Sequence, residues 1–216
     1  MIRVGVFDFD GTLVDSNAIK MEGFFRLAAR YPEGEAAMAQ VIGTSGDRRS
    51  VLSAFSGYMA STGVRLNVDE LVARYCEDVD PVVAAAPEMQ GATDLLINLR
   101  HAGLRLYLNS ATPTESLLTI LDTRGWTVLF NGIHGAPNSK IEALHKISEV
   151  EHASGEEIAV IGDGLDDAHA AQLFGARFIA VGSGSYAAAN PDVSMLPLHH
   201  VSAHVVGATA PASALN

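Results

Sequence analysis

The chain has 216 residues, 48% of them apolar, enough to build a full core without disulfides or a structural metal. Its 25 acidic and 14 basic side chains give a formal charge of −11, which disfavours a nucleic-acid binder; a phosphate-ester enzyme remains open, because a bound dication supplies positive charge locally. Cys76 is the single cysteine, so no internal disulfide forms, and neither a signal peptide nor an apolar run of ~20 residues is present; the expectation is a cytoplasmic protein with no membrane span.

Residues 2–7 are a short apolar run that predicts a buried strand. Helical patterning then fills residues 16–86, at 18–29, 48–61 and 69–86, with Leu71, Tyr75, Val79 and Val82 on one face of the last. This stretch predicts an all-helical domain, 16–86, inserted into a core domain of 1–15 and 87–216, with junctions near Asp15-Ser16 and Pro87. Beyond it, helices are predicted over 91–101, 114–124, 139–151 and 166–174, the second behind Pro113 with Thr112 or Thr114 as N-cap. Strands are predicted over 105–108, 127–130, 158–161 and 178–181. The alternation implies an α/β fold, a doubly wound, Rossmann-like parallel sheet with right-handed crossovers. Trp126 reads as core packing beside the third strand. Residues 183–216, rich in Ala, Ser, Gly, Pro and His, read as a partly ordered tail in preference to a metal site built from His199, His200 and His204.

In an open α/β sheet the site lies beyond the carboxyl ends of the strands. The first strand delivers Asp8-Phe9-Asp10-Gly11-Thr12, the second Asn109-Ser110-Ala111-Thr112, and the fourth Gly162-Asp163-Gly164-Leu165-Asp166-Asp167. Carboxylates are costly to bury, and several ending buried strands need a balancing charge. Magnesium (Mg2+), which favours hard oxygen ligands, is the economical partner.

These segments, with Lys140 in Gly135-Ala136-Pro137-Asn138-Ser139-Lys140, resemble the four ordered motifs of the haloacid dehalogenase superfamily, most of whose members are phosphatases. The resemblance implies that Asp8 attacks phosphorus and forms an aspartyl phosphate, and that Asp10 protonates the leaving alkoxide and then activates water. It implies that Ser110 and Lys140 hold the phosphoryl oxygens, with Gly11 and Thr12 in the phosphate turn and Asn109 and Ala111 beside Ser110. Asp8, Asp163 and the backbone carbonyl of Asp10 would bind magnesium, with Asp167 as a further ligand or an anchor behind them. Ser110 stands where Asn109 competes for part of the phosphate contact.

The helical insertion is then a cap that closes over the site. Its loop at 41–49 carries Arg48 and Arg49, which either hold a carboxylate or second phosphate of the substrate or are solvated at a helix start; Lys20 either points back at the site or does not. The expected activity is a magnesium-dependent phosphatase on a small phosphorylated metabolite of phosphoglycolate or sugar-phosphate type, in a monomer or homodimer. Alternatives are a phosphomutase of the β-phosphoglucomutase type and a catalytically idle binding module. Dehalogenation is disfavoured by Asp10, since a leaving halide needs no acid.

Overall fold

The computed structural model describes residues 1–43 and 47–206. Its first strand, β1 (Val4–Phe7), is buried along its whole length. Four helices follow: α1 (Asn17–Ala28), α2 (Gly34–Val41), α3 (Arg48–Ser61) and α4 (Val68–Ala85). The chain continues through α5 (Ala92–His101), β2 (Arg105–Pro113), α6 (Thr114–Arg124), β3 (Gly132–Ala136), α7 (Lys140–Glu151), β4 (Ile158–Gly162), α8 (Leu165–Phe174) and β5 (Arg177–Ala180). Two short helices, α9 (Ser185–Ala189) and α10 (Val201–Val205), end the described chain. Among the described residues no helix is long and apolar enough to cross a membrane.

All five strands are parallel, in the order β3-β2-β1-β4-β5. The winding reverses at β1, which places a crevice at the carboxyl ends of β1 and β4, where ligands of doubly wound sheets bind. Register sharpens this. Phe7 pairs with Leu108 on one side and Ile161 on the other, so Asp8, Asn109 and Gly162 emerge at one level.

Side chains alternate along β1 because successive residues face opposite sides of a sheet. Val4 and Val6 pack with Leu144 and Ile147 of α7 and Ala170 of α8. Phe7 enters the larger core with Leu95, Leu96 and Leu99 of α5 and Leu117 and Leu121 of α6. Each fully buried side chain of this size contributes roughly 1.5–3 kcal/mol before entropy is counted. The central strand is therefore held from both faces, and the residues that end it are held with it.

The third strand lies later than predicted. Residues 127–130 are mainly a 3-10 turn (Thr127–Leu129) with Val128 exposed, and the strand is Gly132–Ala136. It is an edge strand, so a continuous apolar run is not required of it. Close packing also selects glycine there. A Cβ on Gly132 would lie 2.7 Å from the Tyr107 ring, and one on Gly135 would lie 2.3 Å from the Thr112 carbonyl oxygen. Neither Thr112 nor Thr114 caps α6; Pro113 occupies the N-cap position, and the Thr114 hydroxyl accepts from the Gly135 amide.

In the insertion, α4 buries Leu71, Tyr75, Val79 and Val83, while Val82 is exposed. The helix α2 carries no expectation from the sequence reading. Trp126 is buried, as expected. The segment after β5 is more structured than expected. Leu196 bridges Val181, and Leu198, Val201 and Val205 are buried, with α10 against α5. His199, His200 and His204 form no metal-ligating group among the described residues.

Two connections join the insertion to the sheet domain, and they run side by side. The Asp15 amide donates to the Pro87 carbonyl at 3.0 Å and the Met89 amide to the Leu13 carbonyl at 2.9 Å. A third tie is Arg124 of α6, which donates to the carbonyls of Val83, Ala84 and Ala86 at the end of α4 while its guanidinium lies over Trp126.

Candidate active site

The strand β1 ends at Phe7, so Asp8 is the first residue of a turn rather than part of the strand, and Asp10 lies further into it. The turn closes on itself through the Gly11 amide and the Val14 carbonyl, at 2.8 Å. Gly11 has φ +79°, a conformation that favours glycine, and a Cβ there would lie 2.2 Å from an Asp163 carboxylate oxygen. The turn can approach Asp163 so closely only because Gly11 has no side chain.

Lys140 is the first residue of α7, and its position follows from the cap of that helix. Ser139 is the N-cap, with its hydroxyl accepting from the Glu142 amide and Glu142 accepting from the Ser139 amide, a reciprocal capping box. Asn109 donates from its side chain to the Lys140 carbonyl at 2.9 Å. Thus pinned, the Lys140 ammonium reaches Asp8 at 2.9 Å, Asp167 at 2.5 Å and Asp166 at 3.0 Å. Burial works against its charge, but Asp167, Asp8 and Asp166 outweigh that and hold its pKa well above the ordinary lysine value.

Three carboxylates around one ammonium leave negative charge in excess. Asp8, Asp10, Asp163 and Asp167 are all buried. Burial pushes Asp8 up to about 6, against the pull of Lys140, and pushes Asp163 and Asp167 above the usual carboxylate range as well. Asp8, Asp163 and Asp167 each offer an oxygen within 4.8 Å of the others, the one group among the described residues arranged to hold a metal ion. Carboxylate oxygens are the ligands a hard divalent cation favours, so the cluster suits such an ion in donor type and charge. The Thr12 hydroxyl spans Asp8 and Asp163 at 3.4 and 3.5 Å, and Asn17 donates to Asp163 at 2.9 Å.

Asp10 faces a different environment. It accepts from the Ser16 hydroxyl at 2.6 Å, the Lys20 ammonium at 2.6 Å and the Thr112 hydroxyl at 2.9 Å. Burial alone would raise its pKa, but Lys20 and the two hydroxyls outweigh it and the net shift is downward. Two carboxylates two residues apart are thus driven in opposite directions, the pattern of groups with separate proton duties. Lys20 points back from α1 at the site, held there because the Tyr75 hydroxyl donates to its carbonyl and the Phe24 and Tyr75 rings pack 4.4 Å apart. The sequence reading delivers Thr112 at a strand end without giving it a role and gives none to Ser16 and Asn17, whose one available signal is polarity beside an acidic turn.

The other expected residues fall as follows. Ser110 accepts from the Thr112 amide at 3.1 Å, and Ser110 and Ala111 line a cleft of about 900 Å³ between the helical insertion and the sheet domain. Arg48 is buried rather than solvated at the helix start: it pairs with Asp80 at 3.0 Å, donates to the Cys76 sulfur, lies over the Tyr75 ring and lines the cleft. Arg49 is exposed and paired with Asp69 at 2.6 Å. Of the loop at 41–49, Thr44, Ser45 and Gly46 lie outside the described residues.

A doubly wound sheet with an acidic cluster at the end of its central strand, under a helical cap inserted after that strand, defines a class of capped α/β hydrolases. The family model of haloacid dehalogenase-like hydrolases matches residues 2–175, and the chain belongs to that family. No curated protein matches the sequence. Among solved structures, YfnB from Bacillus subtilis, described as a HAD-hydrolase bound to magnesium, is similar at 20% identity and a TM-score of 0.68, over 94% of this chain and 98% of that one. A predicted phosphoglycolate phosphatase from Haemophilus somnus is similar at 17% identity and a TM-score of 0.71, over 93% and 96%. CbbY from Rhodobacter sphaeroides, solved with phosphate, is similar at 18% identity and a TM-score of 0.67, over 84% and 87%.

Proposed function

We propose that the chain is a magnesium-dependent phosphatase acting on a small phosphorylated metabolite through an aspartyl phosphate on Asp8. The observation that carries this reading is the pairing of Asp8, beside Lys140 and two further buried carboxylates, with Asp10 two residues on, whose carboxylate the Lys20 ammonium meets at 2.6 Å. In the first step Asp10 takes a proton from the monoanionic phosphate ester as it binds and passes it to the departing alkoxide, while a carboxylate oxygen of Asp8 bonds to phosphorus and the ester P–O bond breaks. In the second, Asp10 takes a proton from water, whose oxygen bonds to phosphorus and releases phosphate from Asp8. The carboxylate that Lys20 favours suits this second half.

Lys140 and the Ser110 hydroxyl would hold phosphoryl oxygens, with backbone amides of the Asp10–Thr12 turn beside them. Asp8, Asp163 and the Asp10 carbonyl would hold magnesium, with Asp167 anchored by Lys140 and the Gly164 amide behind them. The ion would neutralise charge on the transferring phosphoryl group. Residues 16–86 would form the cap domain and residues 1–15 with 87–216 the catalytic domain, flexing where Asp15 meets Pro87. The relatives that are similar to this chain support the reading by the magnesium and phosphate named for two of them.

The test is phosphate release from a panel of monoesters, with magnesium or with chelator, beside Asp8→Asn. The expected result is metal-dependent release that falls at least about 10³-fold in the variant. Release that survives the substitution would sink the mechanism.

A further inference from the structure

Resting on the phosphatase reading, we infer that the substrate's alcohol portion is uncharged and largely apolar, and that it lies in the cleft that runs outward from Ser110 and Lys140. Continuity supports this occupant. Ser110 and Lys140, the proposed phosphoryl contacts, form the inner end of the cleft, and from there it passes between the α3–α4 side of the insertion and α7 and α8. Its walls are Val72, Pro113, Pro137, Ile141, Ala170 and Leu173. Leu173 stands 64% exposed at the rim, a large apolar side chain with no cover of its own among the described residues.

Charge supports it further. Five charged side chains touch the cleft, and each already has a partner in the protein. Arg48 is bound through Nη1 to Asp80 while its buried Nε has no hydrogen-bond partner among the described residues. Arg49 is bound to Asp69, and Lys140 to Asp8, Asp166 and Asp167, while Asp47 accepts from the Ser50 amide. A carboxylate or second phosphate on the substrate would have to compete with these pairs, Arg48 Nε and His169 apart, and would face Asp47 and Asp166. Part of the polar floor is committed as well. Asn138 donates to the Gly135 carbonyl and accepts from Lys146, and the Ser139 hydroxyl is used in the capping box. A sugar hydroxyl placed beside Asn138 and Ser139 would give up water for groups already in use, whereas an apolar body gains from leaving water. At about 900 Å³ the cleft is far larger than a two-carbon acid phosphate requires and matches pockets that enclose larger ligands.

The test is a series of straight-chain alkyl phosphates from ethyl to octyl, in which the leaving alcohol's acidity barely changes, so that only cleft contact varies. Phosphoglycolate, ribose 5-phosphate and an ω-carboxyalkyl phosphate complete the panel, all with magnesium. The expected result is a kcat/KM that rises about two- to four-fold per methylene until the cleft is filled. The carboxylated ester should fall at least about ten-fold below its methyl-ended counterpart, and Leu173→Gln should flatten the octyl-to-ethyl ratio, a readout in which any general loss of folded enzyme cancels. A flat chain-length series, or preference for phosphoglycolate or ribose 5-phosphate, would overturn this inference while leaving the phosphatase reading intact. Failure to release phosphate from any ester would overturn that reading and this inference together.

Discussion

Asp8 and Asp10 sit two residues apart, yet their surroundings push them in opposite directions, and the consequences are measurable. Asp8 has a pKa raised by burial to about 6, above its value of 3.8 in an unfolded chain. For a carboxylate shifted upward, the contribution to stability is lost as pH rises from the unfolded value through the folded one. Without metal, the native state should therefore lose stability between about pH 4 and 6, and Asp8→Asn should raise Tm in chelator at pH 7.5 by about 2–6 °C. Added magnesium should stabilise the unsubstituted protein more than the variant; thermal melts in both conditions check this, and a variant that melts lower in chelator would contradict it. Asp10 depends on Lys20 for its downward shift. Lys20→Met should move the pH limb governed by Asp10 upward and slow turnover at neutral pH by at least about ten-fold, seen in the pH profile of kcat. The places of Asp8, Asp10, Ser110 and Asp163 were legible from strand-end position, and their candidate roles, with that of Lys140, from the resemblance to the haloacid dehalogenase motifs. Ser16, Asn17 and Thr112 were not, because a hydroxyl or amide beside a carboxylate leaves no periodic trace; only the folded turn brings Thr112 within 2.9 Å of a residue 102 positions away.

Elements translate those residues into fixed geometry. The capping box at Ser139 starts α7 one residue before Lys140, so helix and cation are placed by the same local hydrogen bonds. Ser139→Ala should cost about 1 kcal/mol of stability and lower kcat more than that loss of folded protein explains, because Lys140 loses its start point. Denaturant unfolding paired with steady-state kinetics would separate the two effects. Most elements were readable in the sequence because their cause is local. The limits 48–61 and 114–124 coincide with α3 and α6, and the buried strands β1, β2 and β4 and the edge strand β5 announce themselves as apolar runs. The exception is β3, where the requirement is set by a neighbour: the Tyr107 ring excludes any Cβ at Gly132, and the glycines that satisfy it erase the strand signal. Arg48 is a similar case. Its type and loop position pointed to an anion, but Asp80, 32 residues later on α4, takes its charge.

For the molecule as a whole, the polar ties between the cap and the sheet domain among the described residues include Lys20 to Asp10 and Thr112, Asn17 to Asp163, Arg48 to Ser116, and Arg124 to the last carbonyls of α4. The first ends on a proposed proton-transfer group, which links cap position to the state of Asp10. The doubly wound order was legible from the alternation of elements, whereas the cleft that the cap makes with α7 and α8 was not, since it exists only once distant surfaces meet. The central claim is covalent attack by Asp8 on phosphorus. Its most direct test is acid quench of the enzyme during turnover with magnesium and a monoester, borohydride reduction of the trapped acyl phosphate, and peptide mass spectrometry. The account predicts homoserine in place of aspartate at position 8, absent when substrate is omitted. Continued phosphate release with residue 8 unreduced, or with the label on another carboxylate, would contradict it.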